Sequence, residues 1–104
     1  MNERLIYEWL KPELVGDDWK LYGDLDDCGV YQMDAFRDGK PSMALPPLDM
    51  NTWHGEVLPK LSKEADVTFR HGHWDIQPWK RAWHGPHWAR EDPWQALTDY
   101  LEAK

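Results

Sequence analysis

Residues 30–45, VYQMDAFRDGKPSMAL, decide the fold of this 104-residue chain. From Val30 to Phe36 the side chains alternate between apolar and polar, as in a strand that buries one face. Asp38-Gly39 is a strong hairpin-turn signal, and the chain then returns over residues 42–45 before Pro46-Pro47 ends the strand. The stretch therefore predicts an antiparallel β-hairpin.

Helical patterns lie on both sides of this hairpin. We predict a first helix over residues 3–10, because Pro12 should end or kink it. Asp49 or Asn51 can cap a second helix, in which Pro59 should produce a kink or a shorter last turn. The predicted buried stripes are Leu5, Ile6, Trp9 and Leu10 in the first helix, and Trp53, Val57, Leu58 and Leu61 in the second.

The last helix has the strongest signals, since Asp92 is a good cap, Pro93 suits the first helical position, and Trp94, Leu97 and Leu101 form its stripe. Weaker strand patterns cover residues 19–25 and 67–88, the latter broken at Gly and Pro residues. The predicted order is α-β-β-α-β-β-α. We therefore expect an α+β fold in which helices pack on a small antiparallel sheet as a sandwich.

The composition is that of one globular domain, residues 1–104: 41% of the residues are apolar, 30% are charged and eight are Trp. No apolar run approaches the ~20 residues that span a bilayer, and the first residues lack the apolar stretch of a signal peptide. We therefore expect a cytoplasmic protein. The lone Cys28 has no partner for an internal disulfide.

Leu45-Pro46-Pro47-Leu48-Asp49 leads into a helix containing Trp53, a strand region follows over residues 69–83, and Asp92-Pro93-Trp94-Gln95-Ala96-Leu97 opens the last helix. This pattern, over roughly half of the chain, resembles the phage ABA sandwich domain, a family of small phage proteins of unassigned activity. The resemblance implies helix layers flanking a sheet and a phage or prophage origin, with no catalytic residues to carry over. The N-terminal third departs from the pattern, which leaves the topology of residues 11–30 open.

Four of the five histidines fall within residues 71–87. On a strand, His71 and His73 would share a face, and His84 could approach from a paired strand, as three imidazoles that hold a metal require. Asp75 continues that face and could bind the metal or orient an imidazole. The group is either a zinc or manganese site or a set of surface and structural histidines.

Tryptophans and cations are interleaved in the same region, where Trp and Arg together are typical of protein interfaces. Large indoles also fill small cores, with Lys and Arg stems lying over them, so both roles remain open. The residues that we assign to partner binding here are Trp74, Trp79 and Arg81.

Acidic residues dominate the N-terminal part of the chain. The net charge is −7, and residues 1–66 hold seven Lys and Arg against fourteen Asp and Glu. Such a surface disfavours general nucleic-acid or membrane binding and favours a basic partner. Clustered aspartates repel one another unless solvent or a cationic partner offsets the repulsion, so they form either a solvated loop or a surface for a Lys/Arg-lined groove. The cluster consists of Asp17, Asp18, Asp24, Asp26 and Asp27.

Catalysis is poorly supported, because neither Ser42 nor Ser62 lies in a Gly-x-Ser-x-Gly turn and no Gly-rich phosphate loop is present. We predict a small acidic phage-type protein that inhibits or adapts a basic host protein, such as an anti-CRISPR-like inhibitor of a defence nuclease, through negative-charge mimicry. It would be a monomer or homodimer without a cofactor. The alternatives are an immunity protein against a basic toxin and a metal-dependent hydrolase or nuclease using the histidine group.

Overall fold

A computed structural model describes residues 1–25, 31–79 and 87–104, with the backbone alone at residues 24, 25 and 31. The helices are α1 (Glu3–Leu14), α2 (Met50–Thr52), α3 (Leu58–Leu61) and α4 (Pro93–Glu102), with a π-helical turn (Trp53–Val57) that joins α2 to α3. The strands are β1 (Lys20–Leu25), β2 (Tyr31–Phe36), β3 (Met43–Ala44), β4 (Ala65–Arg70), β5 (His73–Pro78) and β6 (Trp88–Arg90).

The strands form two antiparallel sheets, in the orders β1-β2-β3 and β4-β5-β6. This confirms the α+β class and the antiparallel pairing, but the strands are divided between two sheets, whereas the sequence analysis placed them in one. Alternation of apolar and polar residues shows which face of a strand is buried, but it does not show which other strand lies beside it. The weak strand over residues 19–25 is confirmed as β1, with Lys20 opposite Phe36 and Leu25 opposite Tyr31.

Proline has less effect on α1 than predicted. The helix is capped by Asn2, whose side chain accepts a hydrogen bond from the Leu5 N–H, and it continues through Pro12 to Leu14. The predicted end at residue 10 is therefore wrong. Pro12 lies in the last turn, where the carbonyl of Lys11 still accepts hydrogen bonds from the backbone N–H groups of Val15 and Gly16 at 2.9 and 3.0 Å. The proline therefore removes few of the helix's hydrogen bonds.

The second helical segment is continuous from α2 to α3 and widens at its centre. Asp49 caps it by accepting from the Thr52 N–H, as predicted. The Leu58 N–H bonds to the Trp53 carbonyl, five residues back. The wider turn precedes Pro59, whose ring would otherwise crowd the carbonyl four residues earlier. The predicted disturbance at Pro59 is therefore a π-helical turn.

Two hydrophobic cores share α1. The larger core lies between α1, the α2–α3 segment, α4 and the second sheet, and it includes Ile6 and Leu10 of α1. The smaller core lies between α1 and the first sheet, where Tyr7 packs with Met33 and Ala35. Leu14 and Leu48 lie against both cores. Because adjacent residues of α1, Ile6 and Tyr7, contribute to different cores, α1 joins the two sheets.

Helix α1 has 12 residues. No described helix combines the length and the apolar character needed to cross a bilayer.

Candidate functional site

The outer face of the first sheet exposes two aromatic side chains. In the β1–β2 register Tyr22 lies opposite Asp34, and Phe36 lies opposite Lys20, so all four side chains share the face that points away from α1. Tyr22 is 60% exposed and Phe36 is 39% exposed. Large apolar side chains grouped on an uncovered sheet face are typical of an interaction surface.

Carboxylates border these aromatic residues. Asp17 and Asp18 are exposed in the turn that leads into β1, and in the register Asp34 and Lys20 each lie next to both rings. Asp18 forms an ion pair with Arg37 at 3.0 Å, and since both side chains are largely exposed, the pair neutralises only part of the local charge. We call Asp17, Asp18, Tyr22, Asp34 and Phe36 the acidic aromatic face.

The other predicted aspartates are only partly described. Asp24 belongs to β1, opposite Gln32, and its side chain is outside the description. Asp26 and Asp27 lie outside the described residues. Sequence reasoning missed the two aromatic rings, although a signal was present. Gln32 and Asp34 are polar and two residues apart, so they mark the outer face of β2, and Phe36 follows at the same spacing on that face.

The predicted histidine group rests partly on a wrong assumption. His71 is not on a strand but in the two-residue turn between β4 and β5, where His71 and Gly72 have φ values of 53° and 78°. Positive φ at both positions is the type I′ geometry of a tight hairpin. His71 therefore does not continue the face of His73, and its carbonyl oxygen lies 3.0 Å from His73 Nδ1.

Asp75 does meet an imidazole, but a different one from those predicted. On the outer face of the second sheet, His87 Nδ1 lies 2.9 Å from Asp75 Oδ1. The β5–β6 register explains this contact, because Asp75 faces Ala89 and His87 precedes Ala89 by two residues on the same face.

The described residues contain no group of three or more His, Cys, Asp or Glu side chains able to hold a metal ion. His84 lies outside them. The metal-dependent alternative therefore stays a prediction.

Trp74 lies near the start of β5 and Trp79 directly follows its end, so the two side chains have different environments. Trp74 is half-buried against Trp53 of the larger core at a ring distance of 5.3 Å, with the exposed ring of Phe69 5.0 Å away. Trp79 follows the strand and is 59% exposed. The two tryptophans thus do not form one binding surface, and Arg81, predicted to act with them, lies outside the described part of the chain.

Trp79 borders an open groove of about 480 Å³ between the end of β5 and the end of α4. Trp88 and Tyr100 contribute two more rings, whose centroids are 5.5 Å apart with edge-to-face geometry. We call this the aromatic groove; its lining residues are Lys63, Glu64, Pro78, Trp79, Trp88, Tyr100, Ala103 and Lys104. No local pattern predicts it, because its residues come from four separate segments.

Glu64 organises the polar side of the aromatic groove. Its Oε1 accepts hydrogen bonds of 2.7 Å from both the Tyr100 hydroxyl and Lys104 Nζ. Burial alone would raise the pKa of Glu64, but the hydrogen bonds from Lys104 and Tyr100 and the charges of Lys104 and Lys60 outweigh it, so the pKa is lowered. Burial raises the pKa of Tyr100, and the hydrogen bond and charge of Glu64 raise it further. Glu64 therefore stays ionised and Tyr100 neutral near pH 7.

Comparison with known proteins assigns no relative: no family model, curated protein or solved structure matches the chain. The resemblance to the phage ABA sandwich domain thus stays a prediction from the sequence pattern.

Proposed function

We propose that this chain is a non-catalytic binding protein that inhibits or adapts a basic protein through its acidic aromatic face. The observation that carries the proposal is the pair of exposed rings, Tyr22 and Phe36, on a sheet face bordered by carboxylates. Aromatic side chains with a charged rim are typical of the energetic centre of a protein interface.

The chemistry of the partner follows from charge. Asp34 shares the outer sheet face with the two rings, Asp17 and Asp18 lie in the turn before β1, and residues 1–66 carry twice as many acidic as basic residues. Such a surface attracts Lys and Arg side chains and repels phosphate, which favours a basic protein over a nucleic acid. A protein that itself binds nucleic acid offers a groove lined with these cations, and the carboxylates would then occupy positions normally taken by phosphates.

In this proposal the chain is a phage-type protein that acts in the host cytoplasm on such a partner, for which a defence nuclease is the leading candidate. A basic toxin neutralised by an immunity protein presents the same chemistry, and the identity of the captured partner distinguishes the two.

The test is capture of a partner from host lysate by the tagged full-length chain at low and high salt, with variants of the face run in parallel. We expect Tyr22→Ala to weaken binding of the purified partner by about thirtyfold, the effect of losing roughly 2 kcal/mol at an interface centre. We expect the double change Asp17→Asn and Asp18→Asn mainly to slow association and to reduce its salt dependence.

Two controls make this test specific. Met50 is exposed and apolar but lies on α2, so Met50→Ala should leave binding unchanged. Glu102 is exposed at the end of α4, so Glu102→Gln tests whether removing any one acidic charge is sufficient. Equal binding of the partner by the wild type and by Tyr22→Ala would contradict the proposal.

A further inference from the structure

The aromatic groove has the size and the walls of a small-molecule site. Its volume of about 480 Å³ falls within the roughly 300–1,000 Å³ of typical ligand pockets. Trp79, Trp88 and Tyr100 supply three rings, and Pro78 and Ala103 add apolar surface. Such walls favour a flat, unsaturated molecule that can stack on a ring.

Trp79 is held in place although it is exposed. Its indole Nε1–H donates to the Ser62 carbonyl at 3.0 Å, and its backbone N–H donates to the Glu64 carbonyl at 3.2 Å. These bonds tie the residue to the turn before β4 and already use the N–H of the ring. The ring face is then the part of Trp79 that a ligand can meet, and its fixed position lowers the entropy cost of binding.

Among the described side chains that line the aromatic groove, two lysines accompany one carboxylate. Glu64 and Lys104 neutralise each other through their 2.7 Å ion pair, and Tyr100 donates to the same carboxylate oxygen. Lys63 is exposed at the rim, and among the described side chains no carboxylate forms an ion pair with it. In the described part of the groove, the charge of Lys63 is therefore available beside the stacking surface.

From these features we propose that the aromatic groove binds a small organic anion that carries a flat aromatic ring, with the ring on Trp79 and the anionic group near Lys63. A quaternary ammonium ligand fits less well, because the positive charge of Lys63 would repel it. A nucleic-acid strand also fits less well, since a polyanion meets the net charge of −7 of the whole chain and not only the local field.

The experiment is a calorimetric titration of the full chain with two aromatic anions, adenosine monophosphate and indole-3-acetate. Adenosine provides the ring without the charge, inorganic phosphate provides the charge without the ring, and choline provides the opposite charge. We expect at least one aromatic anion to bind with a dissociation constant below about 1 mM, and the three comparison compounds to bind at least tenfold more weakly.

Two variants locate the site. Trp79→Ala should weaken binding by about tenfold or more, as expected for loss of one stacked ring, and Lys63→Gln should weaken it several-fold. Lys40→Gln is the matched control, because Lys40 is an exposed lysine in the turn between β2 and β3. Circular dichroism would verify that Trp79→Ala, a change at an exposed side chain, remains folded.

The inference fails if neither aromatic anion binds at concentrations up to about 10 mM, if binding is equal in Trp79→Ala, or if choline binds as well as the anions. It is independent of the proposed function: the groove variants should retain capture of the protein partner, and Tyr22→Ala should retain the small anion. Each hypothesis can therefore be rejected without the other.

Discussion

Glu64 joins parts of the chain that are far apart in sequence. It precedes β4, while Tyr100 and Lys104 lie in and just after α4, and the two 2.7 Å hydrogen bonds close this contact across the edge of the larger core. Tyr100 also packs its ring on Trp88. A single carboxylate thus ties the end of α4 to the turn before the second sheet.

At the residue scale we predict that Glu64→Gln lowers the free energy of unfolding by about 1 kcal/mol at pH 7, because a neutral amide is a weaker acceptor for Lys104 and Tyr100. The pKa of Glu64 is lower in the folded chain than its unfolded value of about 4.3. The stabilisation is therefore present above that pH and is lost as the pH falls through the folded value. Urea unfolding at pH 7 and at about pH 3 should show the difference between wild type and variant shrinking in acid.

Glu102→Gln provides the control for this prediction. Glu102 belongs to the same helix and is exposed, so the change alters the net charge without removing a hydrogen bond seen in the described part of the structure. A loss of stability as large as that of Glu64→Gln would show that general charge, and not the specific contact, produces the effect.

Among the elements, the hairpin of β4 and β5 depends on its two-residue turn. The register runs without a gap from Ala65 opposite Pro78 to Arg70 opposite His73, which leaves His71 and Gly72 to reverse the chain. Both have positive φ, and a side chain at either position meets the strain of the left-handed region. The turn therefore fixes which residues of β5 face the larger core.

At the element scale we predict opposite effects for two glycine substitutions. Gly72→Ala should lower the free energy of unfolding by about 1–2 kcal/mol, because φ is 78° there and an alanine in the left-handed region costs that amount. Gly55→Ala, in the π-helical turn, should raise it by about 0.5–1 kcal/mol through a smaller loss of chain entropy on folding.

Steric clashes do not explain the opposite effects of the two substitutions, since an added Cβ meets no atom within 4 Å at either site. Thermal unfolding of the two variants beside the wild type measures both effects. Shifts of the same sign would show that backbone conformation does not decide the result.

The whole molecule is organised around α1. Ile6 and Leu10 are fully buried in the larger core, and Tyr7 is buried in the smaller core, where its hydroxyl donates to the Pro46 carbonyl at 2.7 Å. Loosening either core would remove part of the packing that holds α1. The two sheets should therefore unfold together.

At this scale we predict that Met33→Ala and Ile76→Ala, one in each core, both lower the free energy of unfolding by about 2–5 kcal/mol and preserve a single transition. NMR signals from amides in both sheets, followed during thermal unfolding, should give the same midpoint. Met43→Ala is the control, because Met43 is 45% exposed and its loss should cost less than about 0.5 kcal/mol. Separate midpoints for the two sheets would contradict the role assigned to α1.

Local patterns in the sequence determined much of the fold. The cap at Asp92, the cap at Asp49 and the alternation in β2 act within a few residues, so the last two helical segments and the β2–β3 hairpin were predicted from them. The length of α1 was missed, because Pro12 in a last turn removes few hydrogen bonds. The turn at His71 was missed because a histidine with positive φ has no distinct local pattern.

Only the tertiary structure decided which of these elements meet. The sequence does not show that the strands form two sheets, that Trp74 and Trp79 have different environments, or that Asp75 pairs with His87. The acidic aromatic face could have been predicted from local sequence, because the alternation of side chains along a strand shows which residues share a face of the sheet. The aromatic groove was not, because Glu64, Trp79 and Tyr100 become neighbours only when packing brings distant segments together, and an amino-acid pattern of short period contains no information about such contacts.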